Sequence, residues 1–169
     1  FIVSYGDIIY EPVVLEQLLA ADHAISVIID RGWELYWKQR FENVLDDAET
    51  LQVDKSGCII SIGQKPLSIE QIEGQYIGLT AFKGEGVEVL RSVYHQAQLE
   101  AVGGQYPLRG ERPFCKLYMT DILQGIIDSG FPVHQVPVWR AWLEIDSLKD
   151  IELAERSIEI DGDTFKIKI

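Results

Sequence analysis

Two aspartates, Asp7 and Asp146, stand where an α/β protein usually presents groups that bind ligands. Each follows a short apolar run that predicts a strand, at residues 2–5 for Asp7 and at residues 142–145 for Asp146. Open α/β sheets bind their ligands beyond the carboxyl ends of the strands. Taken alone, however, Asp7 is typical of a turn residue, and Asp146, which precedes Ser147, is typical of a helix cap. The residue types and their spacing leave both interpretations open.

Aromatic side chains are concentrated near these positions. The segment 31–47 mixes rings with charges and lies between predicted core elements, so it is a candidate substrate lid. The four tryptophans lie in that segment or close to Asp146: Trp33, Trp37, Trp139 and Trp142. Their faces could bind a quaternary ammonium group near Glu144. They could equally fill the seam between the segment and the sheet, and the sequence does not decide between the two.

Two basic residues are candidates for binding phosphate. Arg40 could contact a substrate phosphate. The simpler prediction for this residue is an ion pair with the nearby carboxylate of Asp46, Asp47 or Glu49. Lys65, judged by its neighbours alone, is an ordinary solvated turn lysine. The histidines show no pairing with a serine or a cysteine that would predict a hydrolase, so no chemistry is assigned to them.

Strands and helices alternate along the chain. Residues 1–6, 11–21 and 24–30 predict a strand, a helix and a strand, which form a βαβ unit with the two strands paired in parallel. Further strands are predicted at 49–54, 58–63, 72–82 and 131–138, further helices at 84–101, at 120–130 and after Ser147, and a loop at 102–116. The tail at 158–169 predicts a hairpin. Together these elements predict an α/β fold with a mixed, mostly parallel sheet flanked by helices.

Length and composition narrow the class of protein. The 169 residues contain no credible linker and predict a single domain, residues 1–169. The formal net charge of −12 opposes nonspecific binding to nucleic acid or anionic lipid, and it suits a site for a divalent metal. No apolar run approaches the ~20 residues that a membrane span needs. Cys58 and Cys115 lie far apart without metal-ligand spacing, which indicates a reducing, cytoplasmic compartment.

A series of short motifs, spread over nearly the whole chain, is more specific than any of these features alone. In order, the motifs are Tyr5-Gly6-Asp7, residues 30–33 with Trp37 and Arg40, and residues 47–49, 62–65, 74–78, 119–121 and 142–146. In order and spacing they resemble the nucleotidyltransferases of the phosphocholine cytidylyltransferase type. The resemblance covers residues 1 to about 155, so residues 156–169 are interpreted as a C-terminal extension.

The resemblance implies a Rossmann-like fold of the GT-A type, as in the nucleotide-diphospho-sugar transferases. It also implies a reaction that joins a nucleoside triphosphate such as CTP to a small acceptor, either phosphocholine or 2-aminoethylphosphonate, with release of pyrophosphate. Asp7 and Asp146 match the two Mg²⁺-binding carboxylates of the family, and Lys65 matches a lysine that contacts the acceptor phosphate. The side chains expected around the acceptor are Trp33, Trp37, Arg40, Trp142 and Glu144.

One part of the family pattern has no counterpart in this sequence. Members of the family begin with a strand and a Gly-rich loop, whose Arg and Lys residues hold the triphosphate, and the glycines at 84–86 and 103–104 lack that context. We therefore expect an N-terminally truncated chain that has no cytidylyltransferase activity by itself. The alternative is a noncatalytic relative that binds a partner, or forms a homodimer, through an open sheet edge beside residues 1–5.

Overall fold

The structure, a computed structural model, describes residues 1–108, 110 and 112–168. The strands of this part are β1 (Ile2–Ser4), β2 (Ile8–Tyr10), β3 (Ile25–Asp30), β4 (Leu51–Val53), β5 (Ile59–Ile62), β6 (Gln75–Phe82), β7 (His134–Val138), β8 (Trp142–Glu144), β9 (Ile158–Asp161) and β10 (Thr164–Ile167). The α-helices are α1 (Pro12–Ala20), α2 (Trp33–Arg40), α3 (Glu85–Val102), α4 (Met119–Asp128) and α5 (Leu148–Ser157). Short 3-10 helices lie at Val44–Asp46, Ile69–Gln71 and Phe114–Lys116. Residues 109 and 111 of the predicted loop, and residue 169 of the predicted hairpin, lie outside the described residues.

The central sheet has four strands in the order β1-β6-β3-β7. β6 is antiparallel to both of its neighbours, β1 and β3, whereas β3 and β7 are parallel. Three of the four strands therefore run in the same direction, and the predicted mixed α/β sheet is confirmed. The expected pairing of residues 1–6 with residues 24–30 is wrong, because β6 lies between them. A strand–helix–strand pattern predicts that two strands run in parallel in one sheet. It does not predict whether a later strand, here β6, lies between them.

Helices and loops cover both faces of this sheet. Every residue of β3 is buried, as in a strand that is covered on two sides. One cluster of buried side chains includes Leu18 of α1 and Ile28 of β3, and a second includes Ile29 of β3 and Leu123 of α4. No helix in the described part of the chain combines the length and the apolar character that a membrane crossing requires.

A short antiparallel ladder joins two segments that are far apart in sequence. β2 pairs with β8, with Ile8 opposite Glu144 and Tyr10 opposite Trp142. Three residues are too few to show a periodic pattern, so the sequence did not predict β2 as a strand. The ladder places the residue that precedes β2 next to the residues that follow β8.

The two predicted hairpins are confirmed for the described residues. β4 pairs with β5 and β9 pairs with β10, both in antiparallel register. The second hairpin is fastened to the rest of the fold at its end. The backbone N–H of Ile167 donates to the Glu11 carboxylate at 2.7 Å, and the N–H of Lys168 donates to the carbonyl of Ser157 at 2.9 Å.

The aromatic side chains of α2, in the segment 31–47, are packed in the core and do not form a lid. The side chains of Trp33, Tyr36 and Trp37 are at most 4% exposed. The rings of Tyr36, Trp37 and Trp142 contact one another, with centroids 5.6 to 6.1 Å apart. The lid prediction is wrong because these large rings gain more from mutual packing against the sheet than from facing a substrate.

A buried carboxylate holds the turn that leads from β7 into β8. Asp30, which is fully buried at the end of β3, accepts hydrogen bonds from the backbone N–H groups of Gly32 and Arg140 at 2.7 Å and from Trp142 Nε1 at 2.9 Å. Arg140 and Ala141 have φ angles of 62° and 65°, which is unfavourable for residues other than glycine. The bonds to Asp30 stabilise this turn and so set the direction of β8.

Candidate active site

A cavity of about 400 Å³ lies beside Tyr5, which follows β1, and Gln75, which pairs with the last residue of β3. Its walls consist of carboxylates and aromatic rings, together with the Gln75 amide and the Thr120 side chain. The lining residues are Tyr5, Trp37, Asp47, Glu49, Gln75, Tyr76, Tyr118, Thr120, Glu144 and Asp146. Such a lining suits a cationic group or a divalent metal.

The buried Arg40 guanidinium contacts the carboxylates on the acidic side of the cavity. Its side chain is 2% exposed and contacts Glu144 at 2.7 Å, Asp146 at 2.6 Å and Asp150 at 2.9 Å. The expected ion pair with Asp46, Asp47 or Glu49 is wrong, because α2 turns Arg40 toward β8 and the start of α5. Burial opposes its charge, but the hydrogen bonds that the guanidinium donates to the carboxylates of Asp150 and Glu144 raise the pKa of Arg40 above its ordinary value.

Glu144 and Asp146 are held in different ways. The hydroxyl of Tyr36 donates to the carbonyl of Glu144 at 3.2 Å and accepts from its N–H at 2.9 Å. Burial raises the pKa of the Glu144 carboxyl, and the Arg40 guanidinium opposes that shift. The side chain of Asp146 is 50% exposed, so it combines a fixed position with access to solvent. Asp150 completes the arrangement as the N3 residue of the predicted capping box, whose N-cap is Ser147.

Asp7 lies at the same end of the β2–β8 ladder as Asp146. The carbonyl of Asp7 accepts a hydrogen bond from the N–H of Ile145 at 2.9 Å. The pKa of the Tyr5 phenol is raised to about 12, chiefly by burial and then by the charges of Glu49, Glu144 and Asp7. Asp7 itself is exposed and is not among the residues that line the cavity.

Gly78 explains how Tyr5 reaches this position. A Cβ atom at Gly78 would lie 2.5 Å from the Tyr5 ring, which no side chain tolerates. The residue also has a φ of +83°, a conformation that favours glycine. Gly78 belongs to one of the motifs of the resemblance, and its role is to leave room for the tyrosine beside the cavity.

Glu49 is a wall residue that the sequence did not identify as a site residue. Its backbone is clamped by the buried side chain of Gln75, which accepts from the Glu49 N–H at 3.1 Å and donates to its carbonyl at 2.7 Å. The pKa of the Glu49 carboxyl is raised to about 7, first by burial and then by the charge of Asp121, while Arg112 and the Thr120 hydroxyl oppose the shift. Only the motif at residues 47–49 signals it in the sequence.

The N-terminus of α4 is docked on the β4–β5 hairpin, which places Thr120 in the cavity wall. A Cβ atom at Gly63 would lie 2.5 Å from the Cβ of Thr120, so the close approach needs a glycine. The side chain of Gln124 accepts from the N–H of Ile62 at 2.9 Å. Thr120 thus contributes its hydroxyl to the site.

Several residues expected at the acceptor lie elsewhere. The Lys65 ammonium donates to the carbonyls of Leu45 and Asp46, the latter at 2.6 Å, and Lys65 is not among the lining residues. Trp33 and Trp142 are buried in the core. Of the expected tryptophans only Trp37 reaches the cavity wall, where the other rings are those of Tyr5, Tyr76 and Tyr118. Trp139 is 67% exposed and borders a separate surface depression.

The chain matches no protein-family model. It is 32% identical over 152 residues to the CTP:phosphoglutamine cytidylyltransferase of Campylobacter jejuni. The aligned region covers 90% of this chain and 57% of that protein, so the chain spans little more than half the length of this curated relative.

Two solved structures share the fold at low sequence identity. A Bacillus anthracis protein described as a glucose-1-phosphate thymidylyltransferase gives a TM-score of 0.60 at 16% identity, covering 95% of this chain and 56% of that one. The nucleoside-diphosphate-sugar pyrophosphorylase of Vibrio cholerae RC9 gives a TM-score of 0.50 at 14% identity, covering 90% and 55%. At these identities the likeness shows the fold alone. The chain is therefore similar in sequence to a cytidylyltransferase and shares the fold of the two solved structures.

Proposed function

We propose that this chain supplies the acceptor-binding and metal-binding part of an enzyme that transfers a cytidylyl group from CTP to a small phosphorylated or phosphonate acceptor, with release of pyrophosphate. The observation that carries the proposal is the cavity lined by Glu144 and Asp146 at the end of the β2–β8 ladder, where the backbone of Asp7 pairs with Ile145. The similarity to a cytidylyltransferase supports CTP as the donor.

The donor set at this place fits Mg²⁺. Mg²⁺ prefers one or two carboxylates and keeps several waters and substrate phosphate oxygens as its other ligands. Asp7 is exposed, and Asp146 contacts Arg40 through one oxygen while half of its side chain remains exposed. The described residues hold no cluster of three or more His, Cys, Asp or Glu side chains placed for a metal, so such an ion would depend on these two carboxylates and on the substrate. A bound Mg²⁺ would neutralise charge on the α-phosphate.

The protein's own residues position the reactants. Arg40 fixes the Asp146 and Glu144 carboxylates, and Tyr36 fixes the Glu144 backbone. The rings and carboxylates of the wall would orient the non-phosphate end of the acceptor. We assign Lys65 a positioning role, because its ammonium ties the 3-10 helix at Val44–Asp46 to the turn after β5.

The test is a pyrophosphate-release assay on the full-length protein with CTP, Mg²⁺ and a panel of acceptors. The panel contains phosphocholine, 2-aminoethylphosphonate and phosphoglutamine, the substrate in the name of the Campylobacter protein. We expect pyrophosphate release that requires both CTP and one acceptor. Hydrolysis of CTP at the same rate without any acceptor, or no release with any member of the panel, would contradict the proposal.

A further inference from the structure

The β2–β8 ladder has a site end and a turn end. At the site end Ile8 pairs with Glu144, Asp7 precedes β2 and Asp146 follows β8. At the turn end lies the connection from β7 into β8. Only three residue pairs separate the two ends, so the turn is close enough to determine where both aspartates lie.

The turn contacts both strands of the ladder. The N–H of Glu11, the residue after β2, donates to the carbonyl of Ala141 at 2.9 Å, and Trp142 is the first residue of β8. The positive φ angles of Arg140 and Ala141 are a conformation that residues other than glycine keep only where the surrounding structure enforces it. The position of the ladder therefore depends on what holds this turn.

The Asp30 carboxylate holds the turn with both of its oxygens. Its Oδ1 accepts from the N–H groups of Gly32 and Arg140, and its Oδ2 accepts from Trp142 Nε1. Asp30 is fully buried, and burial raises the pKa of its carboxyl while these three hydrogen bonds oppose the shift. One side chain thus joins the end of β3, the start of α2 and the start of β8.

We propose that Asp30 is a positioning residue for the site, which acts through the turn to set where the β2–β8 ladder places Asp7 and Asp146. The catalytic meaning of this inference rests on the proposed function, whereas the positioning itself can be measured without turnover. Asparagine has nearly the shape of aspartate but replaces one acceptor by a donor. In Asp30→Asn that donor would face either the two backbone N–H groups or Trp142 Nε1.

Hydrogen exchange of backbone amides in the full-length protein tests the inference. The N–H of Ile145 donates to the carbonyl of Asp7, so its exchange reports whether the site end of the ladder stays closed. Asp30→Asn should speed this exchange by at least about tenfold, because a buried donor is left without an acceptor. The matched control is Val93→Ala, which weakens the packing of α3 far from the ladder. It should speed exchange at Ile145 only as far as it lowers the global stability measured with urea.

A double-mutant cycle with Trp142→Phe identifies the route. Without the Nε1 donor, the introduced amide can turn its oxygen toward both backbone N–H groups and no longer meets a second donor. In the Trp142→Phe background, Asp30→Asn should therefore speed exchange at Ile145 by at most about threefold. Trp142→Phe alone removes one of the three bonds to Asp30 and should speed the exchange by about threefold.

Pyrophosphate release gives a second readout. Asp30→Asn should raise the Mg²⁺ concentration for half-maximal rate by about tenfold, with a smaller change in kcat at saturating Mg²⁺. An unchanged Mg²⁺ requirement, or exchange at Ile145 that stays at the wild-type rate, would overturn the inference, as would equal acceleration by Val93→Ala at equal global stability. If the wild type releases no pyrophosphate, the proposed function fails and the exchange rates alone decide whether Asp30 positions the ladder. If Asp30→Asn does not fold, Trp142→Phe decides: faster exchange at Ile145 supports the inference, and an unchanged rate overturns it.

Discussion

At the scale of single residues, Arg40 supports the acidic side of the cavity. Its side chain is 2% exposed and pairs with three carboxylates, at the end of β8, in the turn after it and in α5. We expect Arg40→Met to lower the free energy of unfolding by about 3–5 kcal/mol, because it leaves these carboxylates without their cation. Denaturation with urea measures the change. Lys38→Met, in the same helix but with an exposed ion pair, should cost less than about 1 kcal/mol, and equal losses in the two variants would contradict the account.

Glu49 makes the stability depend on pH. The pKa of its carboxyl is about 7 in the folded protein and 4.5 when unperturbed, with burial as the main cause. A raised folded pKa gives a stabilising contribution that is complete below the unfolded pKa and is lost as the pH rises through 7.

Glu49→Gln should therefore be more stable than the wild type above neutral pH, by up to about 3 kcal/mol. At pH 4.5, the unperturbed pKa of this carboxyl, the two proteins should differ little. Unfolding measured at both ends of this pH range tests the prediction, with Glu88→Gln on the exposed face of α3 as control. A difference between variant and wild type that does not change with pH would show that Glu49 ionises normally.

The sequence predicted some single residues of the site and missed others for a physical reason. Asp7 and Asp146 follow strand signals and belong to recognisable motifs, and the β2–β8 ladder pairs the backbone of Asp7 with Ile145, the residue before Asp146. Glu49 could not be found in this way, because its position depends on the Gln75 clamp, a contact across 26 residues of sequence. The predicted ion-pair partners of Arg40 were wrong. The real partners are set by the packing of α2 against β8 and α5, and the carboxylates nearest to Arg40 in the sequence do not indicate that packing.

At the scale of elements, the docking of α4 on the β4–β5 hairpin forms one wall of the cavity. Gly63 and Gly57 lie in this hairpin with φ angles of +80° and +88°, but only Gly63 faces another element, where a Cβ would lie 2.5 Å from Thr120. Gly57→Ala should cost about 1–2 kcal/mol from backbone strain alone. Gly63→Ala should lower the free energy of unfolding by roughly 1–3 kcal/mol more than Gly57→Ala does, because its Cβ would also overpack against Thr120.

Urea denaturation of the two glycine variants makes this comparison direct. Equal losses would mean that the hairpin and α4 do not pack as described. A larger loss of unfolding free energy in Gly63→Ala, together with weaker binding of phosphoglutamine, would show that the docking of α4 shapes the cavity.

Elements with a long periodic pattern were predicted well, and short elements were not. The buried β3 and the helices α1, α3 and α5 follow from their apolar patterns and caps. β2 forms only by pairing with β8, which lies far away in the sequence. α2 was interpreted as a lid because a mixture of aromatic and charged residues is typical both of a packed helix and of a substrate lid.

At the scale of the whole molecule, the cavity exists only where several distant parts of the chain meet. Besides the end of β1, the start of α4 and the end of β8, α2 with the segment that follows it and the start of β6 also line the cavity. The mixed sheet could be predicted from the alternation of strands and helices, whereas its strand order could not. β1 lies at an edge of the sheet within the described residues, and the homodimer expected from that edge stays a prediction that light scattering can test.

The central claim is that Asp7 and Asp146 form one catalytic site, and turnover by Asp7→Asn tests it most directly. In the full-length protein with CTP, Mg²⁺ and the preferred acceptor, we expect the variant to lose at least about 100-fold in kcat. Its free energy of unfolding should match that of the wild type, since Asp7 is exposed. Asp22→Asn, an exposed aspartate before the amino end of β3, should keep normal turnover. Wild-type turnover in Asp7→Asn would contradict the account.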